Sequence, residues 1–168
     1  MTGHPALRVF AVDWRKDSHG ATLEGLITSR SMELNILYPR RSGVIDVTEV
    51  VQLAVREAGV QRGIAHLQLL HNSAALFLGP ASETLQEKYL QLMSDLVPEK
   101  DSVDREATCS EDCAVRSAAP ALRSALLGIS VSLQLEEFTL VLGESQRVVL
   151  GEFDGGQERT IRILLMGV

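Results

Sequence analysis

Polar and apolar residues alternate along the first part of the chain, a pattern that is typical of half-buried β-strands. The clearest run spans residues 32–38, where most alternate side chains are apolar. An earlier run at 7–12 is followed by a turn sequence at 17–20, so we predict a hairpin that returns over 21–28. The N-terminal part is therefore predicted to be β-structure.

Helical spacing replaces this alternation at three places. After Thr48, a residue type that caps helices, apolar residues recur at intervals of three and four until Gly59. Two later stretches show the same helical spacing, and they end at Pro98 and at Gly128. We predict helices over residues 49–58, 83–97 and 120–127.

The remaining segments predict strands separated by short turns. A buried strand over 64–70 ends in His71, and after a brief interruption it continues over 74–78 until the chain breaks at 79–80. The Asp-Gly-Gly turn at 154–156 is a strong hairpin signal for the strands on either side of it. This order of elements indicates the α+β class and not a doubly wound sheet. The C-terminal strands are predicted over 130–135, 138–142, 146–153 and 158–166.

Composition narrows the class of function. With 168 residues, 45% of them hydrophobic, the chain fits one globular domain that needs no disulfide or metal to fold. A net charge of −6 argues against nucleic-acid binding, which needs a concentrated basic face. No segment reaches the roughly 18 uninterrupted apolar residues of a membrane span. Without an N-terminal targeting signal, we expect a cytoplasmic protein with no nucleic-acid or membrane partner.

His71 and two cysteines are the candidates for chemistry. A histidine at a strand end can act as a general base or a metal ligand, although its position alone favours a hydrogen-bonded structural role. Cys109 and Cys113 lie in an acidic stretch over 99–117 that predicts a long loop, and one helical turn there would let both sulfurs chelate a soft metal. Their spacing is not that of a standard zinc site, so two free thiols are favoured.

The order of six segments resembles the YjbQ-like family, often labelled secondary thiamine-phosphate synthase. The resemblance runs from about residue 32 to 166 and implies an α+β fold, a two-sheet antiparallel β-sandwich with three helices, that forms a homotrimer. Residues 1–28 are extra to the family pattern, so we predict an N-terminal β extension over 1–28 and a YjbQ-like domain over 29–168. The segments are TEVVQLAVREAGV, GIAHLQLLHNSAALFL, DLVP, ALRSALLGISV, LVLGESQRVVLGEFDGG and ERTIRI.

The resemblance also implies a polar site of which this chain lacks a part. The family box begins with a histidine that matches His71, and the Glu-Phe-Asp-Gly signature is intact at 152–155. The family usually carries one or two further histidines, thought to complete a metal or active site, where this chain has Ala119 and Ala121. Of the Gly-Thr-Trp-Gln motif, only the glycine and Gln146 remain.

Two hypotheses of different classes follow from the resemblance. The substitutions favour a protein whose metal-dependent, thiamine-phosphate-synthase-like activity is reduced or lost, and which acts as a binding or structural trimer, with a small phosphorylated molecule as a candidate ligand. The alternative is an active enzyme with weak thiamine-phosphate-synthase-like or related phosphate-ester chemistry, in which His71, Gln146 and Arg123 would be catalytic. The cofactor stays open because the family-type metal site is incomplete. A rebuilt metal site would join His71 with Cys109, Asp112 or Cys113 from the long loop, and simple loss is favoured over it.

Overall fold

Two antiparallel β-sheets and three helices make up the described part of the computed structural model, which covers residues 8–13, 27–38, 42–80, 82–99 and 118–168. The predicted α+β class and its two antiparallel sheets are confirmed. The helices are α1 (Thr48–Ala58), α2 (Glu83–Leu96) and α3 (Ala119–Leu127). The strands are β1 (Arg8–Asp13), β2 (Thr28–Leu37), β3 (Gly43–Asp46), β4 (Gly63–Leu69), β5 (Ala74–Pro80), β6 (Ser130–Glu136), β7 (Thr139–Leu140), β8 (Gln146–Glu152) and β9 (Glu158–Gly167).

The larger sheet has the strand order β1-β2-β9-β4-β6-β7, and the smaller sheet has the order β3-β8-β5. Strand β1 pairs with residues 33–37 of β2 and not with the return strand predicted over 21–28, most of which lies outside the described residues. The division into an extension over 1–28 and a domain over 29–168 stays a prediction.

The main core lies between the two sheets. Alternation along β2 turns Met32, Leu34 and Ile36 inward, and all three are fully buried. Leu76 and Leu150 of the smaller sheet belong to the same core cluster. Each such side chain contributes roughly 1.5–3 kcal/mol by leaving water. The alternation in the sequence therefore places the apolar side chains that pack the two sheets against each other.

The smaller sheet is buried on both faces. Phe77, Val149 and Phe153 form a second cluster on its outer face, where Tyr89 of α2 and Leu127 of α3 pack against them. A strand covered on both faces has no solvated side and so needs no polar alternation. This explains the continuous apolar runs in β5 and β8.

The start of α1 differs from the prediction, because Thr48 is the first helical residue and not its cap. Its Oγ1 accepts a hydrogen bond from the backbone N–H of Val148 at 2.9 Å and so attaches the helix to β8. The N–H of Thr48 donates to Oδ1 of Asp46 at 2.9 Å. At the other end the prediction is confirmed, since Gly59 adopts a left-handed φ of 72° that favours glycine.

Two turn signals were interpreted wrongly. The turn at 154–156 does not make a hairpin, because β8 and β9 lie in different sheets and the turn carries the chain between them. The break predicted at 79–80 is also wrong, since β5 continues to Pro80, which pairs with Gln146. A proline is tolerated there because β5 is an edge strand.

The β6–β7 connection does form the predicted hairpin. Its turn is centred on Glu137 and Phe138, whose φ values of 50° and 61° are those of a tight turn matched to twisted strands. The turn therefore lies one residue later than the Glu136-Glu137 pair that the sequence suggested.

The outer edge of β5 is covered by its neighbours in the chain. Oγ of Ser124 donates to the carbonyl of Ala74 at 2.5 Å, and the N–H of Leu76 donates to the carbonyl of Gly128 at 3.0 Å. Nε2 of Gln86 donates to the last carbonyl of the strand at 3.0 Å. Residues in and next to α3 thus hold the edge strand from outside.

Gln52 attaches α1 to the β6–β7 hairpin. Its Nε2 donates to the carbonyl of Phe138 at 2.8 Å, and its Oε1 accepts from the buried N–H of Leu140 at 2.9 Å. We predict that Gln52→Leu lowers the free energy of unfolding by about 1–3 kcal/mol in chemical denaturation, because the N–H of Leu140 loses its acceptor. The control is Gln91→Leu on the exposed face of α2, expected to change stability by less than about 0.5 kcal/mol. Equal losses in both variants would contradict the prediction.

Candidate functional site

His71 lies where the chain crosses from one sheet to the other. Strand β4 ends at Leu69 in the larger sheet, and β5 begins at Ala74 in the smaller one. The sequence interpretation of one strand with a brief interruption is therefore wrong: the interruption is the crossing. The N–H of Leu70 still donates to the carbonyl of Thr160 at 2.9 Å, which keeps the start of the crossing beside β9.

Next to His71 is a buried ion pair between the two sheets. Arg159 occupies an inward position of β9 and is 1% exposed, and Glu152 at the end of β8 is 0% exposed. Nε of Arg159 donates to Oε2 of Glu152 at 2.6 Å, and Nη2 donates to Oε1 at 2.8 Å. This bidentate geometry is the strongest form of carboxylate–guanidinium pairing.

Glu152 also organises the turn that follows it. Its Oε1 accepts the backbone N–H groups of Asp154 at 2.9 Å and of Gly155 at 2.8 Å. The turn therefore bends around a carboxylate, which gives a physical reason why it does not close a hairpin. Every buried side-chain nitrogen and oxygen in the described part of the chain has a hydrogen-bond partner.

The surroundings shift the pKa values of both titratable groups. Burial alone raises the pKa of Glu152, but hydrogen bonds from Arg159 and from the backbone of Asp154 and Gly155 outweigh it, so the pKa lies below its ordinary value. For His71, burial lowers the pKa, the charge of Arg159 lowers it further, and Glu152 opposes them in part. The ion pair is thus charged and the imidazole favours its neutral form.

Arg159 also reaches the imidazole of His71. Its Nη1 lies 3.4 Å from Nδ1 of His71 and 3.2 Å from Oε1 of Gln157. A guanidinium can only donate hydrogen bonds, so Nδ1 is the acceptor in this long contact. A histidine that binds a metal almost always donates its other N–H to an acceptor, which Arg159 cannot be. His71 in this arrangement therefore does not fit a metal ligand.

A cleft opens beside His71, with a volume of about 680 Å³. We call it the His71 cleft. Its lining comes from the end of β4 and the crossing, and from α3 and the residues that follow it, including Ala121 of α3. Small and apolar side chains predominate. The lining residues are Gln68, Leu69, Leu70, His71, Asn72, Ala121, Ser124, Ala125, Gly128 and Ile129.

Two residues that the resemblance implied as catalytic lie apart from this cleft. Gln146 pairs with Pro80, at the end of β5 that is about 20 Å from Ala74 and the crossing. Its Oε1 accepts the N–H of Gly143 at 2.8 Å and so shapes a turn. Within one chain, the structure does not bring Gln146 to His71.

Arg123 lies in α3 but is turned towards the end of α2. Its Nε and Nη2 both donate to the carbonyl of Val97, at 3.0 and 2.7 Å, and its Nη1 lies 3.8 Å from a carboxylate oxygen of Glu99. These contacts are structural. The catalytic roles of His71, Gln146 and Arg123 stay predictions.

The proposed rebuilt metal site cannot be located, because Cys109 and Cys113 lie outside the described residues. Among the residues that are described, no group of three or more His, Cys, Asp and Glu side chains is placed to hold a metal. None of the helices in the described ranges is long and apolar enough to cross a membrane. The cytoplasmic location stays a prediction.

Arg159 was not among the predicted site residues, although the sequence contains a signal for it. Predicted strand 158–166 alternates, with Ile161, Ile163 and Leu165 at inward positions. Arg159 shares their register, and a cation at an inward position needs a buried partner. The identity of that partner was not readable, because Glu152 belongs to the other sheet.

The fold and this arrangement define a small α+β protein with a ligand-sized cleft where the chain crosses between two antiparallel sheets. Residues 32–168 match the family model described as UPF0047 protein YjbQ-like, so the chain belongs to that family.

Sequence relatives agree with this assignment, and a solved structure agrees with the fold. A UPF0047 protein from Archaeoglobus fulgidus is 30% identical over 135 residues, which cover 77% of this chain and 96% of the relative. One from Methanothermobacter thermautotrophicus is 27% identical over 137 residues, covering 82% and 92%. The crystal structure of a protein of unknown function from Sulfolobus solfataricus P2 has a TM-score of 0.73 at 22% identity, covering 84% of this chain and 99% of that protein. None of these three carries a named activity, so the thiamine-phosphate-synthase function stays a prediction.

We predict that Glu152→Gln destabilises the protein by about 3–5 kcal/mol in urea denaturation at neutral pH, because it leaves the charge of Arg159 buried without a counter-charge. The control is Glu33→Gln. Glu33 pairs with Arg162, whose side chain is 49% exposed, so its loss should cost less than about 1 kcal/mol. A loss of under about 1 kcal/mol at both positions would contradict the prediction.

The same carboxylate predicts an acid-dependent loss of stability. The pKa of Glu152 is lower in the folded chain than the value of 4.5 expected when unfolded, so the unfolded state binds more protons below that pH. Its stabilising contribution is complete above pH 4.5 and is lost as the pH falls through the folded pKa. The free energy of unfolding, measured from pH 6 downwards, should therefore decrease more steeply with falling pH for the wild type than for Glu152→Gln. Equal slopes in the two proteins would show that Glu152 is not responsible.

Proposed function

We propose that this protein binds a small molecule in the His71 cleft and does not use the metal-dependent chemistry that the family resemblance implies. One observation carries the proposal: a cleft of about 680 Å³ with mostly small and apolar walls and a few polar groups, His71 and Asn72 among them. Small-molecule sites typically have volumes of roughly 300–1,000 Å³ and this kind of lining.

The residue at position 121 supports loss of the metal chemistry. Ala121 is one of the two alanines that align with the family's usual histidines, and it lines the same cleft as His71. An alanine can neither bind a metal nor transfer a proton. The contact between Arg159 and Nδ1 of His71 points the same way, because it leaves no acceptor for a metal-bound imidazole.

The homotrimer is part of this proposal and rests on the family resemblance. Light scattering on the purified chain should give a mass three times that of one chain at micromolar concentration. A monomer under these conditions would remove the trimer from the proposal and leave the cleft unaffected.

The cleft is tested with benzyl alcohol as a probe, in a titration followed by ¹H–¹⁵N NMR. We expect saturable shifts of the backbone amides of His71, Asn72 and Gly128, which line the cleft. Ala125→Trp should abolish them, because Ala125 is an exposed residue of α3 on the cleft wall and a large ring there fills the space.

Leu53→Trp is the matched control, since Leu53 is 55% exposed on α1 and is not among the lining residues. It should leave the titration unchanged. Absence of saturable shifts in the wild type, or unchanged binding in Ala125→Trp, would overturn the proposed site.

An active enzyme is the second candidate, and one observation favours it. The pKa of His71 is lowered, first by burial and then by Arg159, and groups with perturbed pKa values concentrate at functional sites. Under this hypothesis the purified protein forms thiamine phosphate, His71→Ala abolishes the activity and His66→Ala retains it. His66 is a suitable control because its Nδ1 meets Oγ of Ser132 on the exposed face of the larger sheet. Equal activity of the wild type and His71→Ala, or no activity in either, would exclude the synthesis of thiamine phosphate by His71.

A further inference from the structure

The tautomer of His71 follows from its neighbour. In a neutral imidazole one nitrogen carries a proton and the other accepts hydrogen bonds. Arg159 offers only donors, and its Nη1 faces Nδ1 of His71 at 3.4 Å. A proton on Nδ1 would face the guanidinium without an acceptor. The arrangement therefore favours a ring that is protonated on Nε2.

We propose that Arg159 fixes His71 as a hydrogen-bond donor to the His71 cleft, and that the cleft therefore selects an uncharged molecule with an oxygen acceptor on an apolar body. This inference rests on the proposed function, because it names the class of ligand for the same cleft. Arg159 acts here as a positioning residue, since it reaches the ligand only through His71.

The donor character of His71 excludes one kind of partner and favours another. Because Nδ1 accepts from Arg159, Nε2 is the ring nitrogen that remains for a ligand. In this tautomer Nε2 carries the proton and donates a hydrogen bond. A carbonyl, ether or alcohol oxygen accepts from such a group, whereas an ammonium cannot. In this tautomer Nε2 also cannot abstract a proton, which agrees with a binding role.

The charge balance around the cleft disfavours a phosphorylated ligand. No lysine or arginine is among the described residues that line it. The nearby charge of Arg159 is already matched by two hydrogen bonds to Glu152. A phosphate monoester carries about −1.5 to −2 charges at neutral pH and would lose hydration there without gaining a counter-charge.

The apolar side chains that line the cleft favour a ligand with an apolar body. Leu70 on the crossing, Ala125 on α3 and Ile129 after α3 offer contact surface but no hydrogen bonds from their side chains. Leu70 and Ile129 are 40% and 38% exposed, so a ligand in the cleft would remove apolar surface from water. Burial of this surface supplies affinity, and His71 supplies the polar anchor.

The tautomer is tested first, in the free protein. ¹⁵N NMR of the histidine rings at neutral pH, with His71 assigned by the loss of its signals in His71→Gln, should show an unprotonated Nδ1 and a protonated Nε2. In the double variant Glu152→Gln/Arg159→Met the donor is removed, no buried charge is left, and the glutamine oxygen can still accept from the turn. We expect a mixture of both tautomers in this variant.

Two outcomes would overturn the positioning role of Arg159: a protonated Nδ1 in the wild type, or a pure Nε2 tautomer that is unchanged in a folded double variant. Neither outcome bears on whether the cleft binds ligands, so the proposed function would stand. The ¹H–¹⁵N spectrum of the double variant shows whether it is folded. If it is not, the wild-type tautomer alone decides.

The ligand class is tested with three probes of known charge: benzamide, benzoate and inorganic phosphate. Benzamide and benzoate share a ring and differ mainly in charge. We expect benzamide to shift the Nε2–H signal of His71 and to bind about tenfold or more tightly than benzoate or phosphate, a difference of about 1.4 kcal/mol. Tighter binding of either anion would overturn the ligand class and leave the cleft as a binding site. Failure of all three probes and of benzyl alcohol would overturn the proposed function itself.

Discussion

The ion pair between Arg159 and Glu152 is the interaction on which the arrangement of the His71 cleft depends. One partner belongs to the larger sheet and the other to the smaller sheet, so the pair connects the two halves of the sandwich from within. Moving two charges out of water costs several kcal/mol for each ion. The bidentate contact, together with the two backbone N–H groups that Glu152 accepts, offsets that cost. Because both partners are hydrogen-bonded, the pair acts as a rigid support without net charge. It holds the turn after Glu152 and contacts the imidazole of His71.

Most of the architecture could be predicted from local patterns. Alternation in β2 and β9 and the helical spacing of α1 gave elements close to those observed, because each pattern reflects which side faces the core. The predicted pairing of β8 with β9 is wrong, because the two strands lie in different sheets. An Asp-Gly-Gly turn favours a hairpin locally, but here the chain leaves one sheet at Glu152 and enters the other at β9.

The site was also predicted only in part, because it depends on contacts between the two sheets. His71 was recognised from its place at a strand end and from the family resemblance, and the structure does put it on a cleft wall. Gln146 and Arg123 match family motifs, but within the chain their contacts hold a turn and a helix end. Arg159 was visible only as a cation in an apolar register. The role of Arg159 depends on Glu152 in the smaller sheet, and no local sequence pattern predicts a contact between the two sheets.

The cover over the outer edge of β5 has a consequence for how copies of this chain can associate. An edge strand with free N–H and carbonyl groups is a template on which a strand from another molecule can continue a sheet. In β5 the carbonyl of Ala74 and the N–H of Leu76 are already bonded to Ser124 and Gly128. The smaller sheet is therefore closed to strand addition along this part of β5. The helix that forms a wall of the cleft therefore also protects this part of the smaller sheet from sheet-to-sheet aggregation.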